Sequence, residues 1–87
     1  MLYKLPTWVR SSCNQDGAVV LDIRGNRIFN FNHAASELFE MLKSGAASHA
    51  AMVGVLVARY GIHADAAGQD VSDFLAQLKA HRLIETT

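Results

Sequence analysis

The chain has 87 residues and equal numbers of acidic and basic side chains, eight of each. This length suits a single domain, spanning residues 1–87, with a core large enough to fold alone. Proteins that coat nucleic acid usually carry a basic excess, because phosphate neutralisation supplies most of their non-specific affinity. The zero net charge therefore argues against a nucleic-acid partner, and the 51% hydrophobic content argues against intrinsic disorder.

The sequence also bears on the cellular compartment. No apolar run approaches the ~20 residues that span a bilayer, and the N-terminal segment lacks the apolar stretch of a signal peptide. The single cysteine, Cys13, has no partner for an internal disulfide. We therefore expect a cytoplasmic protein with no membrane partner, in which Cys13 is a small residue in or beside a strand.

Three short strands are predicted in the first third of the chain. Residues 5–13 weakly indicate a strand that Pro6 disturbs near its start, and residues 14–17 form a turn signal. Residues 18–23 are apolar and β-branched, whereas residues 27–31 alternate long apolar and polar groups. The two later segments predict a hairpin.

The hairpin turn lies at Arg24-Gly25-Asn26, where Gly25 and Asn26 tolerate a positive φ. Asp22 is expected to cap or brace this turn. Asn32, directly after the hairpin, is expected to accept a backbone N–H at the start of a helix.

Three helices are predicted after the strands, because apolar residues recur there at spacings of three and four. Ser44-Gly45 and Gly61 supply the stop signals for the first two helices, and Ser48 caps the second. The predicted segments are helices at about 33–43, 48–60 and 69–81, a connecting loop at 62–68, and a closing extended segment at 82–85. Strands followed by three helices indicate a small α+β domain, compatible with a winged-helix-like arrangement.

The sequence contains no recognisable catalytic or metal-binding constellation. The four histidines show no i, i+4 pair and there is no Cys-x-x-Cys, so neither a zinc site nor any cofactor is expected. Cys13 has no histidine close in sequence to act as a base. Asp70 and Asp73 are expected to support the N-terminal half of their helix through its dipole. We therefore expect that the protein is not an enzyme.

The order and spacing of ordinary turn, cap and core residues over about residues 14–85 resemble the PqqD family, also called RiPP recognition elements. The residues that carry the resemblance are Gly17 with Leu21-Asp22, Phe31-Asn32 with Ala35, Gly45, Tyr60-Gly61-Ile62, Asp70-Val71 with Phe74-Leu75, and Leu78 followed by Leu83-Ile84. The chain departs from the pattern at Arg82, where the family usually has a glycine.

The resemblance implies a three-stranded antiparallel sheet followed by three helices, and it implies a peptide-binding role. Such proteins hold the leader of a ribosomally made precursor peptide as an added strand and deliver it to a processing enzyme. The sequence of residues 21–25 is more similar to the stand-alone proteins of lasso-peptide pathways than to the other members. The partners of those stand-alone proteins are a leader peptidase and a cyclase. The alternative within the family is a peptide chaperone of pyrroloquinoline quinone synthesis.

The resemblance places the leader along the third strand and against the third helix. The expected peptide-binding residues are Arg27, Ile28, Phe29, Asn30, Phe31, Val71, Phe74, Leu75, Leu78 and Arg82. The two arginines either bind leader carboxylates or are solvated surface charges. The apolar members are also candidates for the core of so small a domain. Which face of the third strand meets the helix stays open.

Two other classes of function remain at this stage. In a winged-helix DNA-binding regulator the third helix would enter DNA, but Asp70 and Asp73 on its polar side would repel phosphate. The strands also precede the helices here, whereas a wing normally follows them. In a scaffold or oligomerisation domain the edge strand would pair with a second copy. Weak homodimerisation and leader binding can share one edge, so they do not exclude each other.

Overall fold

The computed structural model describes residues 1–87 and confirms an α+β fold in which a three-stranded antiparallel sheet is followed by three helices. The strands and helices, in chain order, are β1 Tyr3–Lys4, β2 Val9–Asn14, β3 Gly17–Asp22, β4 Arg27–Phe31, α1 His33–Ser44, α2 His49–Tyr60, α3 Ala64–Ala80 and β5 Glu85–Thr86. None of the helices is long and apolar enough to cross a membrane.

The main sheet has the order β2-β3-β4, so that β4 is an edge strand. Val20 at the centre of β3 is fully buried and lies opposite Phe29 of β4. One sheet face packs on the helices around a core of 16 buried apolar residues, and Phe39, Met52 and Leu78 are the largest of its fully buried side chains. The other sheet face is open to solvent, as alternation in an antiparallel sheet allows.

Local capping explains where the helices begin and end. The Asn32 side chain accepts a hydrogen bond from Ala35 N at 2.9 Å, and the Ser48 side chain accepts one from Ala51 N at 3.1 Å. Gly61 ends α2 in the left-handed region at φ 62°. All three contacts follow the expectations from the sequence.

Two boundaries differ from the sequence expectations. The strand predicted from residue 5 begins only at Val9, since Pro6 supplies a turn carbonyl to the Val9 N–H. Helix α3 begins at Ala64, not at 69: His63 caps it through Asp65 N, and the completely buried Ala67 holds its first turn on the core. Gly68 therefore lies inside this helix and not in the connecting loop predicted at 62–68.

The termini pair with each other, which the sequence did not predict. Strand β1 pairs antiparallel with β5, and Tyr3 exchanges backbone hydrogen bonds with Ala47 at 2.8 and 2.9 Å. The predicted extended segment at 82–85 is therefore only partly a strand, since β5 begins at Glu85.

The hairpin turn also differs from its prediction in one detail. Asn26 adopts the left-handed conformation at φ 53°, whereas Gly25 has no positive φ. A side chain at Gly25 would instead press a Cβ to 2.5 Å from the Asp22 carboxylate, so the absence of a Cβ makes room for that group.

Candidate functional site

The outer edge of β4 carries backbone groups without partners. The Phe31 carbonyl points toward β3, because a Cβ at Gly17 would collide with it. Since hydrogen-bonded and non-bonded positions alternate in an antiparallel pair, Phe29 also faces β3 while Ile28 and Asn30 face outward. No hydrogen bond in the structure uses the outward N–H or C=O of Ile28 or Asn30. These four groups are available to a further strand.

The opposite edge of the sheet, at β2, is partly engaged. Val9 N–H donates to the Pro6 carbonyl at 3.1 Å, and Lys43 Nζ donates to the Ser11 carbonyl at 3.3 Å. The sheet therefore offers β4 as the edge open to backbone pairing.

The structure shows which face of β4 meets the helices. The Phe31 ring packs edge-on against Phe39 and Phe74, with centroids 4.9 and 6.2 Å apart, and the Phe29 ring lies tilted against the His81 ring, with centroids 4.8 Å apart. Ile28, on the other face, is 68% exposed. Because Phe29 contacts the end of α3 and Phe31 its middle, α3 runs antiparallel to β4.

A groove with a cavity volume of about 650 Å³ lies between the C-terminal half of β4 and the three helices. Its floor is largely apolar, and its rim bears amides, carboxylates and a phenol. The lining residues are Asn30, Phe31, Asn32, Ala34, Ala35, Leu38, Leu56, Tyr60, Ile62, Asp70, Asp73, Phe74 and Gln77. The open edge of β4 and this groove are contiguous through Asn30 and Phe31.

The structure brings together only part of the residue set predicted on α3. Phe74 lines the groove, whereas Val71, Leu75 and Leu78 are buried in the core beneath it, and Arg82 is exposed beyond the helix end. A role of these four residues in binding stays a prediction.

Sequence reasoning missed the polar side of the groove. Asp70, Asp73 and Gln77 share the groove-facing side of α3 with Phe74, and Tyr60 joins them from the end of α2. Their spacing of three and four residues from Phe74 or from one another was a signal for a common face. The prediction instead used the apolar stripe of the helix, most of which faces the core.

Arg27 links the start of β4 to the end of α3. One of its terminal nitrogens lies 2.8 Å from Asp22 Oδ2 and donates to the His81 carbonyl at 2.7 Å. Its guanidinium also lies over the Phe29 ring, 5.2 Å from the centroid. The Arg27 side chain is thus engaged within the molecule, and its bond to His81 ties the hairpin to the end of α3.

Asp22 braces the hairpin turn as the sequence indicated. Its Oδ1 accepts the Gly25 N–H at 2.9 Å, and its Oδ2 faces Arg27. The hydrogen bond from Gly25, followed by that from Arg27, lowers the pKa of this carboxyl below its ordinary value. The carboxylate is therefore the form that the folded hairpin stabilises.

The groups with reactive chemistry lie elsewhere. Burial, with a smaller contribution from Glu40, raises the pKa of the Cys13 thiol to about 11, which leaves very little nucleophilic thiolate near neutral pH. Cys13 lies on β2, 3.6 Å from the Ser36 carbonyl, and does not line the groove. No group of three or more histidine, cysteine or acidic side chains is placed to hold a metal ion.

Comparisons with solved structures show the same fold in proteins of distant sequence. The chain matches TbiB1, solved in complex with the TbiA(beta) leader peptide, at TM-score 0.86 and 24% identity, covering 97% of this chain and 96% of that one. It matches a lasso peptide synthetase B1, solved with a leader peptide, at TM-score 0.81 and 21% identity, with 97% and 98% covered.

A third match is the PqqD truncation of Methylobacterium extorquens PqqCD, described as a functional and stand-alone RiPP recognition element. Its TM-score is 0.79 at 21% identity, with 98% of this chain and 89% of that one covered. No curated protein matches the chain. The family model for coenzyme PQQ synthesis protein D (PqqD) matches residues 17–84, and the chain accordingly belongs to the PqqD family.

Proposed function

We propose that this protein binds the leader segment of a ribosomally synthesised precursor peptide and delivers it to a processing enzyme. The observation that carries the proposal is the unpaired backbone of Ile28 and Asn30 beside the groove. An extended peptide gains backbone hydrogen bonds at such an edge whatever its side chains, while an adjoining pocket selects among guests.

The register of β4 supports one arrangement of a guest strand. Guest residues that pair with Ile28 and Asn30 would point their side chains to the solvent face, since directly opposed residues share a face. The guest residue between them would point inward, toward the groove. Burying one branched or aromatic anchor there contributes about 1.5–3 kcal/mol. Two anchors and the backbone ladder support micromolar binding after the entropy of ordering the guest is subtracted.

The structural relatives support a lasso-peptide setting for this function. Two of the three matched proteins were solved with leader peptides, and one of them is a lasso peptide synthetase component. In that setting the partners are a leader peptidase and a cyclase. The match to PqqD of PqqCD favours the second candidate, a peptide chaperone of pyrroloquinoline quinone synthesis. Both candidates use the same edge and groove.

The proposal assigns no catalysis to the chain itself. The groove holds two carboxylates, a phenol and amides, but no lysine, histidine or cysteine. Cys13, the thiol of the chain, lies outside the groove on the opposite edge strand. The residues of the groove fit a protein that binds and transfers the guest. The partner enzyme in the cytoplasm would carry out the chemistry.

The test is a titration with synthetic leader segments from short precursor genes that neighbour this gene, followed by backbone amide shifts. We expect saturable shifts concentrated at residues 27–31 and on the groove side of α3. Asn30→Pro removes one outward N–H and leaves the ladder to β3 intact, since proline is tolerated at an edge. We expect it to weaken binding about tenfold or more, as the donor is lost and the ring obstructs the guest.

Asn30→Ala is the matched control, because it removes the side chain and keeps the N–H. It should bind within about threefold of the unchanged protein. Circular dichroism and thermal unfolding establish that both variants are folded. Equal binding by Asn30→Pro, or shifts confined to β2, would refute strand addition at β4. A failure of all leaders to bind below about 100 μM, near −5.5 kcal/mol, would refute the delivery role and leave a scaffold.

A further inference from the structure

The groove beside β4 has a one-sided charge. Asp70 and Asp73 contribute carboxylates to its rim, and no lysine, arginine or histidine is among its lining residues. Its other polar side chains, including Asn32, Gln77 and Tyr60, are uncharged amides and a phenol. An apolar floor with an acidic rim fits an apolar side chain that has a cationic neighbour.

Nothing within the molecule neutralises the two carboxylates. Neither Asp70 nor Asp73 takes part in any of the ion pairs of the structure. Asp73 accepts one hydrogen bond, from the Gln69 amide at 2.9 Å. Two like charges three residues apart on a helix repel each other and slightly destabilise it. A cationic group bound between them would relieve this repulsion.

The other end of β4 has no such unpaired charge. There the Arg27 guanidinium pairs with Asp22 and donates to the His81 carbonyl, while Lys79 lies over the Tyr3 ring, away from the groove. Because α3 runs antiparallel to β4, Asp70 and Asp73 lie beside the C-terminal half of β4. A guest along the edge therefore meets unpaired carboxylates at one end only.

From this arrangement we infer that the peptide guest carries a lysine or arginine close to its groove-facing apolar anchor, and that Asp70 and Asp73 select for it. The inference rests on the proposed function, which it extends from any extended peptide to one of defined charge pattern. The position of the cation also reports strand direction. It precedes the anchor in an antiparallel guest and follows it in a parallel one.

The test is selection from a displayed library of random peptides, using the folded full chain as bait. We expect enriched sequences to combine an apolar anchor with a basic residue on one fixed side of it. The bait Asp70→Asn/Asp73→Asn keeps the shape of the rim and removes its charge, and it should still select the anchor without the basic residue. Asp16→Asn/Asp65→Asn removes two carboxylates that lie outside the groove, so it is the charge-matched control and should select as the unchanged chain does.

Affinities of the selected peptides complete the test. Replacing the basic residue of one enriched peptide by glutamine should weaken binding to the unchanged chain about fivefold at low salt. The difference should shrink at high salt, since exposed charges are screened. The same replacement should have no effect with the double variant. The inference would be overturned if the double variant still selected basic residues, or if the unchanged chain enriched anchors without a neighbouring basic residue. Strand addition would be unaffected by either result. Absence of any enriched peptide would count against the proposed function itself.

Discussion

At the scale of single residues, the most unusual backbone position is Arg82, which adopts a left-handed φ of 58° after the end of α3. Arg82 N–H donates to the Lys79 carbonyl at 3.1 Å and Leu83 N–H to the Leu78 carbonyl at 2.8 Å. These two bonds, with Leu78 and Leu83 both fully buried, form the Schellman motif that normally has glycine at the left-handed position. The departure from the family pattern thus keeps the shape of this helix end and places a strained residue in it.

Arg82→Gly should stabilise the protein by about 0.5–1 kcal/mol. The left-handed conformation costs a residue with a Cβ about 1–2 kcal/mol, and the greater freedom of glycine in the unfolded chain offsets part of that gain. The measurement is urea unfolding, where the midpoint should rise at an unchanged slope. Arg82→Ala keeps the Cβ and loses the guanidinium, so it should not stabilise. Equal stabilisation by both variants would trace the effect to the arginine charge instead of the backbone.

At the scale of elements, the ion pair of Asp22 and Arg27 braces the hairpin, and one hydrogen bond from Arg27 joins the hairpin to the end of α3. Arg27 reaches both the Asp22 carboxylate and the His81 carbonyl, and its guanidinium lies over the Phe29 ring. Asp22 is 3% exposed, which protects this pair from solvent better than the other ion pairs on the surface. The pair therefore holds the Arg27 side chain that positions β4 relative to α3.

This pair should make stability depend on pH in the acid range. The pKa of Asp22 is lower in the folded protein than in the unfolded chain, so its contribution is complete above the unfolded value and is lost as pH falls through the folded one. Urea unfolding from about pH 7 to about pH 2 checks this. The unchanged protein should exceed Asp22→Asn in stability at neutral pH, and the difference should shrink below about pH 4. A difference that stays constant over the whole range would contradict it.

The sequence predicted those elements whose signals are local. The strand at residues 27–31, the caps Asn32 and Ser48, and the stop at Gly61 all depend on neighbours within a few residues. The β1–β5 pair was not predictable in this way, because each strand has two residues and exists only through pairing across the whole chain.

The sequence predicted which strand and which helix form the candidate site. It did not predict which face of β4 or of α3 lines the groove. Period-two alternation placed Phe29 and Phe31 together, yet packing on α3 was needed to show that they point inward. Likewise, the apolar stripe of α3 identified Phe74 together with core residues. Only the position of α2 shows that Asp73 and Gln77 reach the groove.

At the scale of the whole molecule, the sheet combines an open edge with an exposed apolar face. Val19, Leu21 and Ile28 are 39%, 38% and 68% exposed on the face turned away from the helices, and Leu21 lies directly opposite Ile28. A strand added at β4 would extend this face. The zero net charge supplies little long-range repulsion between copies, so pairing of two β4 edges competes with guest binding.

We therefore expect weak self-association that the guest suppresses. Two copies would pair their β4 edges antiparallel about a twofold axis, so that the same outward groups of Ile28 and Asn30 are used in both. So short a ladder supports a dissociation constant near 1 mM, about −4 kcal/mol. Sedimentation velocity over a range of concentrations should show dimers only at the upper end. Asn30→Pro and a saturating leader peptide should each return the protein to the monomer, while Asn30→Ala should not. A dimer that persists when peptide blocks the β4 edge would have to form through another surface. The exposed sheet face that contains Leu21 would then be tested, by introducing a charge there and repeating the measurement.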